Sequence, residues 1–302
     1  GIDSFGTNPG SQTYKIQHAS GYIAYTSYIS YNDTQSSIIA LKLSSLDYYA
    51  QSEARTTTTS TSFVDKTTLT FTPATAGDYI ILASATVDGS SASYDYKAQL
   101  NIDGTGYNTS NIETVNVADK NSWIMMKKVN LTATSHTIKI QYAGESSNKI
   151  TVGMAHARIV ALRADEFLEN HYLESENRQT STGVIDKSLT PTTQSGEYLV
   201  IGSLNSDSST TSTVACVSLI EYISSNPQHM CYVAKDASSR GFSSFSVLKR
   251  TLIPVSQNWH LMTNGVGITT VGMQNARMIA IELVPVVING SCGTADTYGY
   301  PS

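Results

Sequence analysis

One set of charged residues occurs twice along the chain and is the first candidate for a functional cluster. In each occurrence an Asp-Lys pair precedes an Arg, and the members are Asp65-Lys66 with Arg158 and Asp186-Lys187 with Arg277. An Asp and an Arg at matching positions can form an ion pair that joins the ends of a folding unit, or can clamp a charged ligand. We expect the ion pair, because a clamp would require the same ligand in both places.

Residue types that carry catalysis or hold metals show no matching spacing. The six histidines include no H-x-H or H-x-x-x-H pair of the kind that binds zinc. The chain lacks a G-x-S-x-G elbow, a P-loop and a dinucleotide fingerprint, and its acidic residues are dispersed rather than paired as in glycosidases. The sequence therefore predicts a protein that is not an enzyme and has no catalytic residue, metal or cofactor.

The three cysteines are Cys216, Cys231 and Cys292. The first two flank a turn signal at Ser225-Asn226-Pro227, and two strands around that turn would place them nearly opposite each other. They form a cross-strand disulfide or remain two small buried thiols, and the sequence leaves both alternatives open. Cys292 lies in a polar tail, where it is free or pairs between chains.

Four sequons mark candidate glycosylation sites, at Asn32, Asn108, Asn130 and Asn289. A chain rich in Ser, Thr and Asn also produces such motifs by chance. A second surface candidate is the run of Tyr22, Tyr25, Tyr28 and Tyr31, whose period of three matches neither a strand nor a helix. In a strand it would send tyrosines to both faces, which suits an assembly contact or a glycan surface, or is plain filling of a Tyr-rich sandwich.

Composition limits the partners of the protein. Of the 302 residues, 40% are hydrophobic but only 14% are charged, and the net charge is -5. The surface must therefore be neutral and rich in hydroxyl groups, and such a surface resists association less than a charged one. Without a cluster of Lys and Arg we expect no nucleic-acid partner, and without an apolar run near about 20 residues we expect no membrane span.

A strand-like phrase is repeated along the chain. The segment "KITVGMAHARIVALRADEF" at 149–167 matches "ITTVGMQNARMIAIELVPVV" at 268–287, and the Ser-Glu-x-Arg motif that begins at Ser52 recurs at Ser175. A third copy of the phrase is "ISYNDTQSSIIALK" at 29–42. Repeated units of this length indicate tandem modules. The expected modules are a partial one at 1–51, complete ones at 52–174 and 175–287, and a polar tail at 288–302.

Each module is predicted to be built of short strands. Segments such as "TLTFTP", "DYIILASATV" and "HTIKIQY" are rich in Ile, Val, Thr and Tyr, and turn signals such as Asp103-Gly104 separate them. About eight strands in a module fit a jelly roll better than an immunoglobulin-type sandwich. The predicted fold class is therefore all-β, with tandem antiparallel β-sandwich modules of the jelly-roll kind.

One motif supports that fold through a family resemblance. The segment "FTPATAGDYIILASATV" at 71–87 resembles the F-T-x-P-x-x-G-x-Y signature of the C1q/TNF-like jelly rolls. The resemblance implies that Tyr79 packs in the core, that Trp123 lies on a strand in the middle of the module and that 150–162 is the closing strand. The second module keeps Gly196 and Tyr198 but lacks the Phe-Thr spacing. Similar tandem modules are familiar in surface and fibre proteins of microbes and viruses.

The partial module leads to a hypothesis about function. A fragment of a sandwich exposes unpaired strand edges and an apolar face. It is completed by upstream sequence, by strands of a neighbouring chain, or by folding against a complete module as extra strands. We expect an extracellular or virion-surface structural protein that assembles with copies of itself into a filament, fibre or surface layer. The alternatives are a glycan-binding adhesion module and, less favoured, an accessory region of a secreted hydrolase.

Overall fold

The fold was analysed in a computed structural model of the chain. The structure describes residues 44–91, 94–112, 120–167, 170–189, 196–208, 213–221, 228–234, 243–253, 258–265 and 270–283. Asn32, Asn289, Cys292 and the four tyrosines between 22 and 31 lie outside these residues.

The first half of the described chain forms two sheets. Its strands are β1 (Tyr48–Ser52), β2 (Thr56–Thr58), β3 (Val64–Phe71), β4 (Gly77–Gly89), β5 (Tyr96–Ile102), β6 (Thr105–Ile112), β7 (Lys120–Leu131), β8 (His136–Gly144) and β9 (Val152–Arg163). One sheet has the order β1-β9-β4-β7, with β2 also paired to β9, and the other has the order β3-β8-β5-β6. All of these pairs are antiparallel.

The second half repeats this arrangement strand for strand. After a single 3-10 turn at Ala164–Glu166 come β10 (Asn170–Ser175), β11 (Gln179–Ser181), β12 (Val184–Leu189), β13 (Gly196–Ser208), β14 (Thr213–Glu221), β15 (Gln228–Ala234), β16 (Ser243–Ile253), β17 (Trp259–Gly265) and β18 (Val271–Leu283). The sheets are β10-β18-β13-β16, with β11 on β18, and β12-β17-β14-β15. We call the two halves the first and second sandwich, and the sheets that contain β9 and β18 the closing sheets.

The strand order identifies the jelly-roll fold that the sequence predicted. In each sandwich only one pair of sequence neighbours, β5-β6 or β14-β15, forms a hairpin, and the other ladders join strands from distant parts of the chain. β1 and β2 lie end to end along β9, as β10 and β11 do along β18, so each pair counts as one interrupted strand. Eight-stranded double sheets wound in this way are jelly rolls. The chain is therefore all-β within its described residues, apart from the 3-10 turn.

Alternating side chains fill a separate core in each sandwich. On β4, Tyr79, Ile81 and Ala83 point inward and are fully buried, and Trp123 of β7 joins them. The positions of Tyr79 and Trp123 agree with the expectation from the C1q/TNF-like motif. In the second sandwich Trp259 is buried in the core, although it lies on β17 rather than on the strand that matches β7.

The strand pairing joins the two ends of each sandwich. β1 pairs with β9, so Tyr48–Ser52 lies in the first sandwich. In the same way β10 pairs with β18, so Asn170–Ser175 lies in the second sandwich. The physical reason is that the first and last strands of a jelly roll are neighbours in one sheet.

The repeated phrase contains a β-bulge. His156 in β9 and Asn275 in β18 both have a left-handed backbone, with φ of 49° and 51°. The ladders shift register between Ser84 and Thr86 in the first sandwich and at the matching place in the second. One extra residue in the left-handed region is a recurrent way of making a bulge, and Asn and His tolerate that region better than β-branched residues do.

This bulge gives a direct prediction. We expect His156→Val to lower the free energy of unfolding by about 1–3 kcal/mol, because a β-branched side chain is strained at positive φ. His156→Asn, which places the residue of the second sandwich at this position, should recover the part of that loss due to backbone strain. Urea unfolding of the three proteins checks this, and equal losses for Val and Asn would contradict the backbone explanation.

Within the described residues, no helix is long and apolar enough to cross a membrane.

Candidate functional site: the charged corners and the contact between the sandwiches

The Ser-Glu-x-Arg motif forms a charged corner where β1 ends. Ser52 accepts a hydrogen bond from Lys66 Nζ at 3.0 Å, and Glu53 Oε1 binds Arg158 Nη2 at 2.9 Å. Glu53 Oε2 also lies 2.7 Å from His156 Nδ1. The corner therefore ties β1, β3 and the bulged strand β9 together, and it uses both of the motifs that the sequence repeats.

The arginine of the motif needs a glycine beside it. Arg55 donates to both carboxylate oxygens of Asp88, at 2.9 and 2.6 Å. A Cβ added to Gly153 would lie 2.4 Å from Arg55 Nη2 and 2.5 Å from Asp88 Oδ1. This close approach explains the glycine in the repeated Val-Gly-Met phrase.

The expected Asp–Arg pair is wrong in the first sandwich. Asp65 lies on β3 and binds Lys139 Nζ and Gln141 Nε2 of the neighbouring strand β8, both at 2.6 Å. Arg158 lies on β9 in the other sheet and binds Glu53. Residues at matching positions of two repeats share a role, but the match alone does not tell which sheet each one occupies.

The second sandwich corrects the expectation in the same way. Asp186 Oδ2 lies 2.8 Å from His260 Nδ1 on the neighbouring strand. Arg277 Nη2 binds Glu176 Oε1, the counterpart of Glu53, at 2.7 Å. The Glu of Ser-Glu-x-Arg is thus the true partner of the closing-strand Arg, and its recurrence beside that Arg was the signal in the sequence.

Lys66 is the buried amine of the first corner. Its residue is 7% exposed, and Nζ donates to Ser52 Oγ and to the carbonyl oxygen of Ala54. Burial lowers the pKa of Lys66, partly offset by the charge of Glu53. The hydrogen bonds of the corner run between its own members, so the arrangement serves to hold the two sheets together.

A third apolar cluster lies between the two sandwiches. It is made by side chains that point away from each core, on the closing sheets and at the start of the 3-10 turn: Ile80, Met126, Val160, Leu162 and Ala164 from the first half, and Ile279 and Ile281 from the second. The two faces use matching positions, since Val160 and Leu162 correspond to Ile279 and Ile281. Burial on both sides explains why these strands read as continuous apolar runs, which was the sequence signal for this contact.

Ion pairs close the edge of this contact. Lys127 Nζ of β7 donates to both oxygens of Glu174 on β10, at 2.6 and 2.8 Å, and Lys128 Nζ donates to Asn170 Oδ1 at 2.7 Å. Lys127 also lies 4.8 Å from the centre of the Tyr107 ring. The first sandwich therefore supplies cations to the strand that begins the second.

Glu174 connects the contact to the second corner. It lies opposite Arg277 in the ladder, and Arg277 Nη2 is 3.1 Å from its Oε1. Burial alone would raise its pKa, but hydrogen bonds with Lys127 and Glu176 and the charge of Arg277 lower the pKa of Glu174 to about 2. Its carboxylate is thus the most strongly held acid of the contact.

The other predicted surface residues have the following positions. Asn130 is exposed at the end of β7 and donates to Asp78 Oδ1 at 2.9 Å. Asn108 lies in β6, and the ladder between β14 and β15 pairs Cys216 with Cys231. This register agrees with the expected hairpin, whereas the disulfide and the glycosylation sites remain predictions.

No group of three or more His, Cys, Asp or Glu side chains that could hold a metal occurs in the part of the chain that the structure describes. A depression of about 360 Å³ opens to solvent beside β11 and β12. It is lined by Gln179, Thr180, Ser181, Val184, Ile185 and Asp186.

The two corners differ in burial, which gives a matched prediction. Arg277 is fully buried and binds two carboxylates, whereas the side chain of Arg158 is 16% exposed and binds Glu53. We expect Arg277→Met to lower the free energy of unfolding by about 3–5 kcal/mol, because it leaves the Glu176 carboxylate without its cation and removes one of the two cations bound to Glu174. Arg158→Met should cost about 1 kcal/mol. Urea unfolding of both variants tests this, and similar losses would contradict it.

Comparisons with known proteins give structural neighbours and no family. No protein-family model and no curated protein sequence matches the chain. The tandem CBM22-1–CBM22-2 domain of Paenibacillus barcinonensis Xyn10C is 10% identical and covers 77% of this chain and 93% of its own, with a TM-score of 0.23. A structure of infectious bursal disease virus, Gt strain, is 10% identical over 82% of this chain and 75% of its own, with a TM-score of 0.29.

A triple jelly roll from the turret of an archaeal virus is 12% identical and covers 80% of this chain and 62% of its own, with a TM-score of 0.27. These neighbours include carbohydrate-binding modules and viral proteins. At such TM-scores the likenesses carry no argument about function, and the jelly-roll assignment rests on the strand order.

Proposed function

We propose that the protein is a structural component, extracellular or on a virion surface, that assembles with copies of itself through its β-sandwich modules. The observation that carries the proposal is the contact between the sandwiches. Two modules of one kind bind each other through the same face, with Val160 and Leu162 packed near Ile279 and Ile281. An outer face that binds the same face of another module joins modules in pairs, which is one contact of the kind that an assembly of such modules needs.

The third copy of the closing phrase extends this argument to the sequence at 29–42. Aligned on 150–163, its Ile39 and Leu41 stand where Val160 and Leu162 stand in the first sandwich. The first and second sandwiches already cover each other's faces. We infer that this segment contributes a further apolar face of the same kind, through which one copy of the chain binds another.

Assembly can be tested on the full chain with one pair of variants. We expect light scattering and negative-stain electron microscopy to show dimers or larger species whose proportion grows with protein concentration. Ile39→Asp combined with Leu41→Asp should abolish them and leave the thermal unfolding of the two sandwiches unchanged. Thr34→Asp combined with Ser36→Asp is the control for added charge. A wild-type chain that stays monomeric at all concentrations would refute the proposal.

A glycan-binding role is the second candidate, and the depression beside β11 and β12 favours it. Its amide, hydroxyl and carboxylate groups, next to the exposed apolar Val184, are of the types that bind sugars. We expect a glycan array to detect a ligand that Gln179→Ala weakens by about tenfold, through the loss of one hydrogen bond in the site. Gln51→Ala, on the exposed end of β1, is the matched control, and equal binding by both variants would exclude this site.

A further inference from the structure

The two corners form a natural pair for comparison because they differ in few charged groups. Gln51 lies opposite Arg158 in the first ladder, and Glu174 lies opposite Arg277 in the second. A tyrosine two residues earlier donates to each of them: Tyr49 to Gln51 Oε1 and Tyr172 to Glu174 Oε2. The second corner therefore has a carboxylate where the first has a neutral amide.

This exchange places two carboxylates on one guanidinium nitrogen. Arg277 Nη2 is 2.7 Å from Glu176 Oε1 and 3.1 Å from Glu174 Oε1. Arg277 is fully buried and the side chain of Glu174 is 21% exposed, so water screens that pair weakly, whereas the side chain of Glu176 is 53% exposed and is screened more. The other titratable or charged groups facing the pair are Lys127 of the first sandwich and Tyr172.

We propose that the contact between the two sandwiches is an acid-strengthened junction, in which Glu176 takes up a proton in mild acid and donates it in a hydrogen bond to the ionised Glu174. The proton converts a repulsion between two carboxylates into a bond between an acid and a carboxylate, while Lys127 and Arg277 keep Glu174 charged. The inference does not depend on the proposed assembly role, because it concerns a contact within one chain.

The directions of the pKa shifts agree with this geometry. The hydrogen bond with Glu174, together with burial, raises the pKa of Glu176 above its ordinary value of 4.5. The hydrogen bond from His156 and the charge of Arg158 instead lower the pKa of Glu53, its counterpart. Two differences separate the corners, Gln51 in place of Glu174 and His156 in place of Asn275, and the experiment must separate them.

The shifts define a pH window for the junction. A raised pKa in the folded state means that Glu176 contributes stability below its unfolded pKa and loses it as pH rises through the folded pKa. The lowered pKa of Glu174, about 2, means that its contribution is complete above 4.5 and is lost progressively as pH falls from 4.5 towards 2. The sum of the two contributions is therefore largest near pH 4.5.

The direct test is a titration of glutamate side chains by carbon-detected NMR on the full chain. We expect the midpoint of Glu176 to lie above 4.5 and that of Glu53 to lie below it. Glu174→Gln should lower the Glu176 midpoint, and Gln51→Glu should raise that of Glu53. His156→Asn controls for the histidine, and under this proposal Glu53 in that variant still titrates below Glu176.

Thermal unfolding gives an independent readout. Glu176→Gln mimics the protonated acid, so at pH 7 it should unfold at the same temperature as the wild type or higher, while Glu53→Gln should lower the unfolding temperature by roughly 2–4 °C. On acidification from pH 7 to pH 4 the unfolding temperature of the wild type should rise relative to that of Glu176→Gln. Equal losses for the two Gln variants at pH 7, or a Glu176 midpoint at or below that of Glu53, would overturn the proposal.

Discussion

The bond between a closing-strand arginine and the glutamate after the first strand is the interaction on which the rest of the structure depends. In a jelly roll the first and last strands are neighbours, so this bond joins segments that are far apart along the chain. It can form only because a bulge at His156 or Asn275 adjusts the strand just before the arginine. The backbone amide of each of these two residues also bonds the carbonyl oxygen of the glutamate. Sequence repetition, backbone conformation and charge pairing therefore meet at one place in each sandwich.

The same arginine lies beside the contact between the two sandwiches, and its exposure to water differs between them. It lies on the outer face of its closing sheet, next to the apolar residues that contact the other sandwich. In the first sandwich that position keeps some contact with water, and in the second it is sealed under the contact. Two copies of one motif thus have different electrostatic surroundings, which is why the neutral Gln51 and the charged Glu174 are not equivalent substitutions.

Much of the fold was readable from the sequence. Alternating β-branched strands and the spacing of turn signals predicted an all-β jelly roll, and the repeated phrases predicted that the two sandwiches would match. The partner of each arginine was not predicted correctly, because position in a repeat does not reveal which of two sheets a residue occupies. The pairing of β1 with β9 was not predicted for a similar reason, since pairing between the two ends of a module leaves no local signal in the sequence.

The contact between the sandwiches was also missed, although the apolar runs at 159–162 and 278–281 carried the information. A strand with one solvent-exposed face has alternating apolar and polar residues, and these two segments do not alternate.

The single replacement of an amide by a carboxylate at positions 51 and 174 has a consequence for the order of the modules. Duplication of a gene segment yields units that cannot distinguish a preceding neighbour from a following one. Glu174 on the second unit binds Lys127 on the first, so the two units are no longer interchangeable and the pair has a defined order. Exchanging the order of the two units in the gene would therefore leave each sandwich folded but separate the acid from the lysine that it binds across the contact.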